Sequence, residues 1–283
     1  MKGIASNYKI NCNSEYSTLK KVLVVKPAFM KIKEVINETQ KHYEVSNIDT
    51  TLALKQHAKF LDVMRAQGVK VIELSPEPRL NEQVFTRDIA FAINDELFVA
   101  SMSEEVRQSE TKHLKKWLHE HSISFHDGLA GTIEGGDVLI DGDTVWVGLS
   151  GRTTIEGIQD LQQRIPDHSV QPLEIKDDIL HLDCVLNIIS ENTALVYPQA
   201  FTKKDLRTIK SNYKVIYITD EEQFQMGPNV LSIGDGKIIS LPQNERLNKV
   251  LESKGFEVIL VDISEIIKSG GSFRCCTLPL QRS

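Results

Sequence analysis

Five short stretches hold the residues that could do chemistry: FTRD with Asp88, EGGD with Glu134 and Asp137, HLD with His181 and Asp183, MGPN with Asn229, and GGSFRCC with Cys275 and Cys276. A thiol attacks as its thiolate, so it needs positive charge near by. His181 could supply that charge, and so could a cationic substrate. A carboxylate such as Glu134 could orient the imidazole. Asp88, Asp137 and Asp183 are then more acids than peptide hydrolysis uses. They suit a cation, because a buried charge needs an opposite charge beside it. A planar guanidinium offers its donors in a fork that matches carboxylates. Taken one at a time, each residue has a structural account. An Asp before a strand is a turn residue, a lone His belongs in a hydrogen-bonded core, and Gly135-Gly136 marks a sharp turn. Their recurrence at one place in a repeat is what points to chemistry.

The repeat lies in the elements that must position these residues. Segments 89–100, 137–148, 185–197 and 229–240 each read as two short apolar strands around a polar turn. The turns, Asn94-Asp95, Asp141-Gly142-Asp143, Glu191-Asn192 and Gly234-Asp235-Gly236, are residues that accept hairpin backbone angles. A helical stretch follows each hairpin. Leu114, Trp117 and Leu118 fall at helical spacing, as do Ile155, Ile158, Leu161 and Ile165. Ser103 and Gln243 are the expected starts of two of these helices. A single apolar strand closes each unit: SISFHD, SVQPLEI, KVIYIT and FEVILVD. A fifth unit can be assembled from the two ends, with LKKVLVVKP paired to CCTLPL, then the helix TLALKQHAKFLDVMRAQ and the strand VKVIEL. The expected fold is α/β, a five-bladed propeller of hairpin-helix-strand units, with residues 1–283 as one catalytic domain. Pairing of the terminal strands closes the ring, and each pre-hairpin stretch then faces one centre.

Bulk properties narrow the class. A 41% apolar and 25% charged composition is that of a globular chain. The net charge of -6 offers no basic face for nucleic acid. No apolar run has membrane-spanning length, and the N-terminus lacks a signal-peptide stretch, so a cytoplasmic location is expected. Four cysteines, Cys12, Cys184, Cys275 and Cys276, include no C-x-x-C pair, which argues against structural zinc. A redox role for the adjacent pair would require a strained ring. Cys276 is expected on the opposite face of the Cys275 strand, as packing.

FTRD, EGGDVL, HLD, MGPNVL and GGSFRC-x-TLPL, in this order, resemble the guanidine-modifying enzymes of the pentein superfamily. That group includes dimethylarginine dimethylaminohydrolases, arginine deiminases and amidinotransferases, and the resemblance covers nearly the whole chain. It implies the same five-bladed fold. It implies Cys275 as nucleophile, His181 as general acid/base and Glu134 as the acid beside it. Asp88 would grip the guanidinium, with Asp183 joining it in the deiminase branch and Asp137 counted among the binding acids. Arg107 and Arg152 would hold an α-carboxylate. The implied mechanism passes through a covalent thiouronium on Cys275 and releases a ureido product such as citrulline, with no metal and no cofactor. Length favours the dimethylarginine dimethylaminohydrolase type. Arg87 and Asp183 favour the deiminase and amidinotransferase pattern, since members that take methylated arginine often have an acid and a lysine there. The expected partner is a small guanidino compound, with no nucleic acid or membrane, and a homodimer is compatible. Amidino transfer is the chemical alternative, and a non-catalytic arginine-binding protein is the other. Residues 29–48 or 76–84 are the two candidates for a cover over the site.

Overall fold

The computed structural model describes residues 8–283. The first unit runs β1 (Leu19–Val25), α1 (Glu38–Tyr43), α2 (Thr50–Ala66) and β2 (Lys70–Leu74). The second has β3 (Ala90–Ile93), β4 (Glu96–Val99) and α3 (Gln108–Glu120). The third has β5 (Val138–Asp141), β6 (Thr144–Leu149), α4 (Ile155–Arg164) and β7 (Ser169–Glu174). The fourth has β8 (Leu186–Ser190), β9 (Thr193–Val196), α5 (Lys203–Asn212) and β10 (Lys214–Tyr217), with α6 (Asp220–Phe224) after it. The fifth has β11 (Leu231–Gly234), β12 (Lys237–Ser240), α7 (Glu245–Ser253) and β13 (Glu257–Leu260), and the last strand is β14 (Leu278–Arg282).

These strands form five small sheets in a mixed α/β fold. In the third, fourth and fifth units the second hairpin strand is central, pairing antiparallel with the first and parallel with the strand after the helix. The two ends of the chain make the equivalent sheet: β1 pairs antiparallel with β14 and parallel with β2. The hairpins turn where expected. Asn94, Gly142, Asp235 and Gly236 all take positive φ, the conformation that tight antiparallel turns demand.

Packing follows the amphipathic pattern. Ile158, Leu161 and Ile165 of the α4 region are buried with Val138, Val145 and Val147 of their own sheet. Phe60, Leu61 and Met64 of α2 are buried with Val22 and Val24 of β1. Each such side chain contributes about 1.5–3 kcal/mol by leaving water.

Three boundaries differ from the sequence expectation. The α3 helix begins at Gln108 after a short turn at Glu105–Arg107, so Ser103 lies outside the cap position, with its hydroxyl donating to Gly151 O and its backbone N–H to Glu134 Oε1. The α7 helix starts at Glu245, beyond Gln243. SISFHD is not a strand: Ser122 has φ +52, and only His126 pairs, parallel, with Phe98. The largest correction concerns CCTLPL. Residues 273–276 form a turn, closed by Cys276 N–H to Ser272 O at 3.0 Å and by the Thr277 hydroxyl bonding to Phe273 O and Arg274 O. Cys275 and Cys276 therefore precede β14, and the strand alternation proposed for Cys276 does not apply. Cys276 is fully buried in the core with Phe60 and Phe273.

Candidate active site

Each unit delivers its polar residue at the same point, just before the inner strand. Asp88 precedes β3, and Glu134 precedes the turn Gly135–Asp137 that enters β5. His181 precedes the turn Leu182–Cys184. Asn229 ends the turn Gly227–Asn229, and Cys275 lies in the turn before β14. The repeat thus explains why residues far apart in sequence meet.

His181 Nε2 lies 2.8 Å from Glu134 Oε2, and His181 Nδ1 lies 3.6 Å from Asp88 Oδ1. All three side chains are buried. Burial alone would lower the imidazolium's pKa. The Asp88 charge, the Glu134 hydrogen bond and the Asp137 charge outweigh it and raise the value to about 10. Burial pushes the Glu134 carboxyl up, but its bond to His181 and the nearby arginines hold it below the usual range. The resting pair is an imidazolium against a carboxylate. A raised histidine pKa stabilises the fold fully below the unfolded value near 6.5, and that stability is lost as pH rises toward about 10. Urea unfolding of the native chain should therefore weaken between these pH values. His181→Asn should flatten that slope, and an unchanged slope would contradict the charged pair.

Gly136 lies against this pair. A Cβ there would come 2.7 Å from His181 Cγ and Nδ1 and 2.9 Å from Asp88 Oδ1. The ring must shift to admit it, and misplacement by about 1 Å costs on the order of 100-fold in rate. Gly136→Ala should keep its far-ultraviolet dichroism and lose activity by about that factor. Activity within twofold of the native chain would show that the imidazole position is not critical.

The Cys275 sulfur accepts a hydrogen bond from Asn229 Nδ2 at 3.2 Å and stands 3.7 and 3.8 Å from the two Asp183 oxygens. Burial raises the Asp183 pKa, against the opposing charges of Arg274 and His181. Burial also holds the Cys276 thiol well above its ordinary value, which leaves it protonated and inert.

Cys275, Asp88, Arg107, Arg152 and Glu82 line one enclosed cavity. Its volume is about 10 Å³, room for roughly one water molecule. Ile36 and Asn37 from the segment before α1 close it, with Glu82 and Phe85 on another wall. Both candidate cover segments, 29–48 and 76–84, therefore contribute. Grooves of about 360 and 270 Å³ flank it, and Ile36 lines both of them as well. Gln40 and Ser269 hold the Glu82 carboxylate, tying α1 to the cavity wall. Burial raises the Glu82 pKa to about 7, despite the Arg107 charge.

The two arginines differ. Arg107 donates to Asp88 Oδ2 at 2.6 Å and to both Glu110 oxygens, so its guanidinium is already committed. Arg152 donates to Ile36 O, 2.5 Å away, and its second terminal nitrogen is buried without a hydrogen-bond partner. Asp137 does not line the cavity. Its oxygens accept from Ser150, Thr153 and the Leu182 N–H, and burial pushes its pKa up to about 6. It braces the His181 turn against the 150–153 loop instead of facing a ligand.

Sequence reasoning missed two groups. In the sequence Asn229 stands out only as a repeat equivalent. Glu15, buried and bonded to Arg87 at 2.6 Å and Arg274 at 2.7 Å, gave no signal in the polar N-terminal stretch.

The mixed α/β fold of small sheets, with a thiol, a histidine–carboxylate pair and further acids before its inner strands, is that of a guanidine-modifying member of the pentein superfamily. Residues 26–282 match the family described as N,N dimethylarginine dimethylhydrolase, eukaryotic, and the chain belongs to that family. It is 47% identical over 277 residues to the uncharacterized protein YkgA of Bacillus subtilis, covering 98% of this chain and 97% of the relative. It is 27% identical to the N(G),N(G)-dimethylarginine dimethylaminohydrolase of Streptomyces coelicolor, covering 85% and 90%. Among solved structures, an arginine dihydrolase domain from the cyanobacterial ornithine-ammonia cycle superposes with a TM-score of 0.85 at 22% identity, covering 93% and 98%. The amidinotransferase SxtG of Microseira wollei gives 0.84 at 19%, covering 96% and 97%. Among the described residues, no helix is long and apolar enough to cross a membrane.

Proposed function

We propose that this chain is a hydrolase that cleaves a C–N bond of the guanidinium group of arginine or a methylated arginine. The single observation that carries the reading is the cavity itself. Its lining includes Cys275, Asp88, whose Oδ1 is buried without a hydrogen bond 3.6 Å from His181 Nδ1, and Arg152, whose Nη1 is buried without a hydrogen bond. A guanidinium at one end and a carboxylate at the other answer both. The five sheets are then the blades of a propeller, and the whole chain is one catalytic domain. The Streptomyces relative supports the reaction class.

The steps balance as follows. The Cys275 thiolate forms a bond to the guanidinium carbon, and the C=N electron pair moves to nitrogen. The His181 imidazolium gives its proton to the departing nitrogen as the C–N bond breaks. A thiouronium remains on the sulfur. Neutral His181 then takes a proton from water, whose oxygen adds to the same carbon. The C–S bond breaks as the hydroxyl proton passes through solvent to the released ammonia or amine, and the thiolate and a neutral ureido product separate. Proton transfers of this kind are worth about 10²–10⁴-fold. Asp88 positions the carbon through its free oxygen. The cavity holds no amino acid as it stands, so the Ile36–Asn37 wall must move for entry.

Asp183 favours arginine over its dimethylated form. Its carboxylate lies 3.7 Å from the sulfur, where it can accept from an unmethylated guanidinium nitrogen that a methyl group would block. The test is a substrate panel of arginine, monomethylarginine, asymmetric dimethylarginine and agmatine, scored for ureido product, ammonia and methylamines. Ureido product from arginine is expected. A new guanidino compound formed only when glycine or lysine is added would replace hydrolysis by amidino transfer. No reaction with any member would overturn the proposal.

A further inference from the structure

Asn229 touches the reacting sulfur with a neutral amide. Its Oδ1 accepts the backbone N–H groups of Arg274 at 3.1 Å and Cys275 at 3.2 Å. Its Nδ2 donates to Asp183 O at 3.1 Å and to Cys275 Sγ at 3.2 Å. The amide has one satisfactory orientation, because turning it over would set NH₂ against two N–H donors and oxygen against a carbonyl and the sulfur. Its backbone is held as firmly. Asn187 Nδ2 donates to Pro228 O at 2.7 Å and to Val230 O at 2.8 Å, on both flanks of Asn229. Met226 enters the turn at φ +55, and a Cβ on Gly227 would sit 2.8 Å from Glu222 O. Asn187, Asn229 and Asp183 are all fully buried. The donor is thus aimed at the sulfur by the fold itself.

The surroundings need such a donor. Asp183 stands on the same sulfur, 3.7 and 3.8 Å away, and as a carboxylate can offer a thiolate no donor. Ionisation releases the thiol proton to solvent and leaves the electron pair on Sγ, where the Asn229 N–H already points. We propose that the Asn229 side-chain amide is a catalytic group that donates a hydrogen bond to the Cys275 thiolate and fixes where its sulfur points. The proposal rests on Cys275 being the nucleophile. It makes the fifth unit's entry turn and the closing turn a single device: the amide that positions the Cys275 main chain also stabilises the charge on its side chain.

The experiment titrates the Cys275 thiolate by its ultraviolet absorbance in the full chain, with Cys275→Ser as the blank. Asn229→Ala removes the donor without adding charge. Asn229→Asp keeps the oxygen that accepts from Arg274 and Cys275. Asn229→Ser is the second neutral variant should alanine not fold. A hydrogen bond to a charged group of this kind corresponds to a midpoint moving up by about one to two on the pH scale. That rise is expected in the neutral variant and in Asn229→Asp, with a lower rate of iodoacetamide alkylation at pH 7. A rise in Asn229→Asp alone reports only the added charge and overturns the proposal, as does an unmoved midpoint in the neutral variant. Either failure is distinct from failure of the nucleophile assignment, which a fully active Cys275→Ser would show.

Discussion

Serine in place of Cys275 should leave the chain folded and lower turnover of its guanidino substrate by at least about 10³-fold. Folding should survive because the residue's main-chain N–H, which bonds Asn229 Oδ1, is untouched, and serine is no larger. Turnover should not survive because a hydroxyl needs a strong base to attack, and the nearest carboxylate, that of Asp183, is far too weak a base to ionise an alcohol. The His181 imidazolium already holds its proton and bonds Glu134, not the sulfur. Asn229 offers Cys275 Sγ a donor, which helps an anion and does nothing for a neutral hydroxyl. Acid quenching of the native chain with substrate, followed by mass spectrometry, should show an adduct on the peptide that contains Cys275. The serine variant should show none. Turnover within tenfold of the native rate, or an adduct on Cys184 or Cys276, would remove Cys275 from the mechanism.

Much of this was legible because the repeat is a backbone pattern. Short apolar runs around Asn-Asp or Gly-Asp-Gly turns report hairpins directly, and four of them recur at fixed offsets from a polar residue. Even the pairing of the chain ends followed from asking which segments could complete a fifth unit. What failed was local competition. Ser103 looks like a helix cap, but a short turn at Glu105–Arg107 intervenes before α3 and moves the helix start away from it. CCTLPL alternates like a strand, yet the Thr277 hydroxyl closes a turn over its first residues. Asp137 has the same residue type and offset as a binding acid, and only the positions of Ser150, Thr153 and Leu182 show that its oxygens are occupied. Arg107 has the spacing expected of a carboxylate binder. Arg107 does line the cavity, where Glu110, one helical turn on, also engages it. For Asp137 the deciding partners are remote in sequence, which no reading of spacing reveals; for CCTLPL and Arg107 they are local hydrogen bonds that compete with the expected role.

Glu15 is the extreme case, and its removal should produce the largest stability loss. It is buried, and it accepts from Arg87 of the second unit, Arg274 of the closing turn and the Ile140 N–H of the third. One carboxylate therefore ties three parts of the chain. Arg282 is buried near by, and burial lowers its pKa to about 10, despite the Glu15 charge that opposes this. Taking Glu15 away leaves three guanidiniums in the interior with no shared counter-charge. Breaking a buried pair from one side costs about 3–5 kcal/mol, so Glu15→Ala should lose that much in urea unfolding. Glu15→Gln keeps the shape and should lose less. The pH dependence has a definite sign. Burial would raise the Glu15 pKa, but Arg274, Arg87 and Arg282 hold it far below the usual range. A depressed carboxylate pKa gives stability that is present above the unfolded value, near 4.3, and lost as pH falls below it. The gap between native chain and Glu15→Gln should thus be full at pH 6 and shrink below about pH 4. A gap that stays constant down to pH 3 would mean that Glu15 works by shape and hydrogen bonding alone, and that the arginines around it need no charge to balance them.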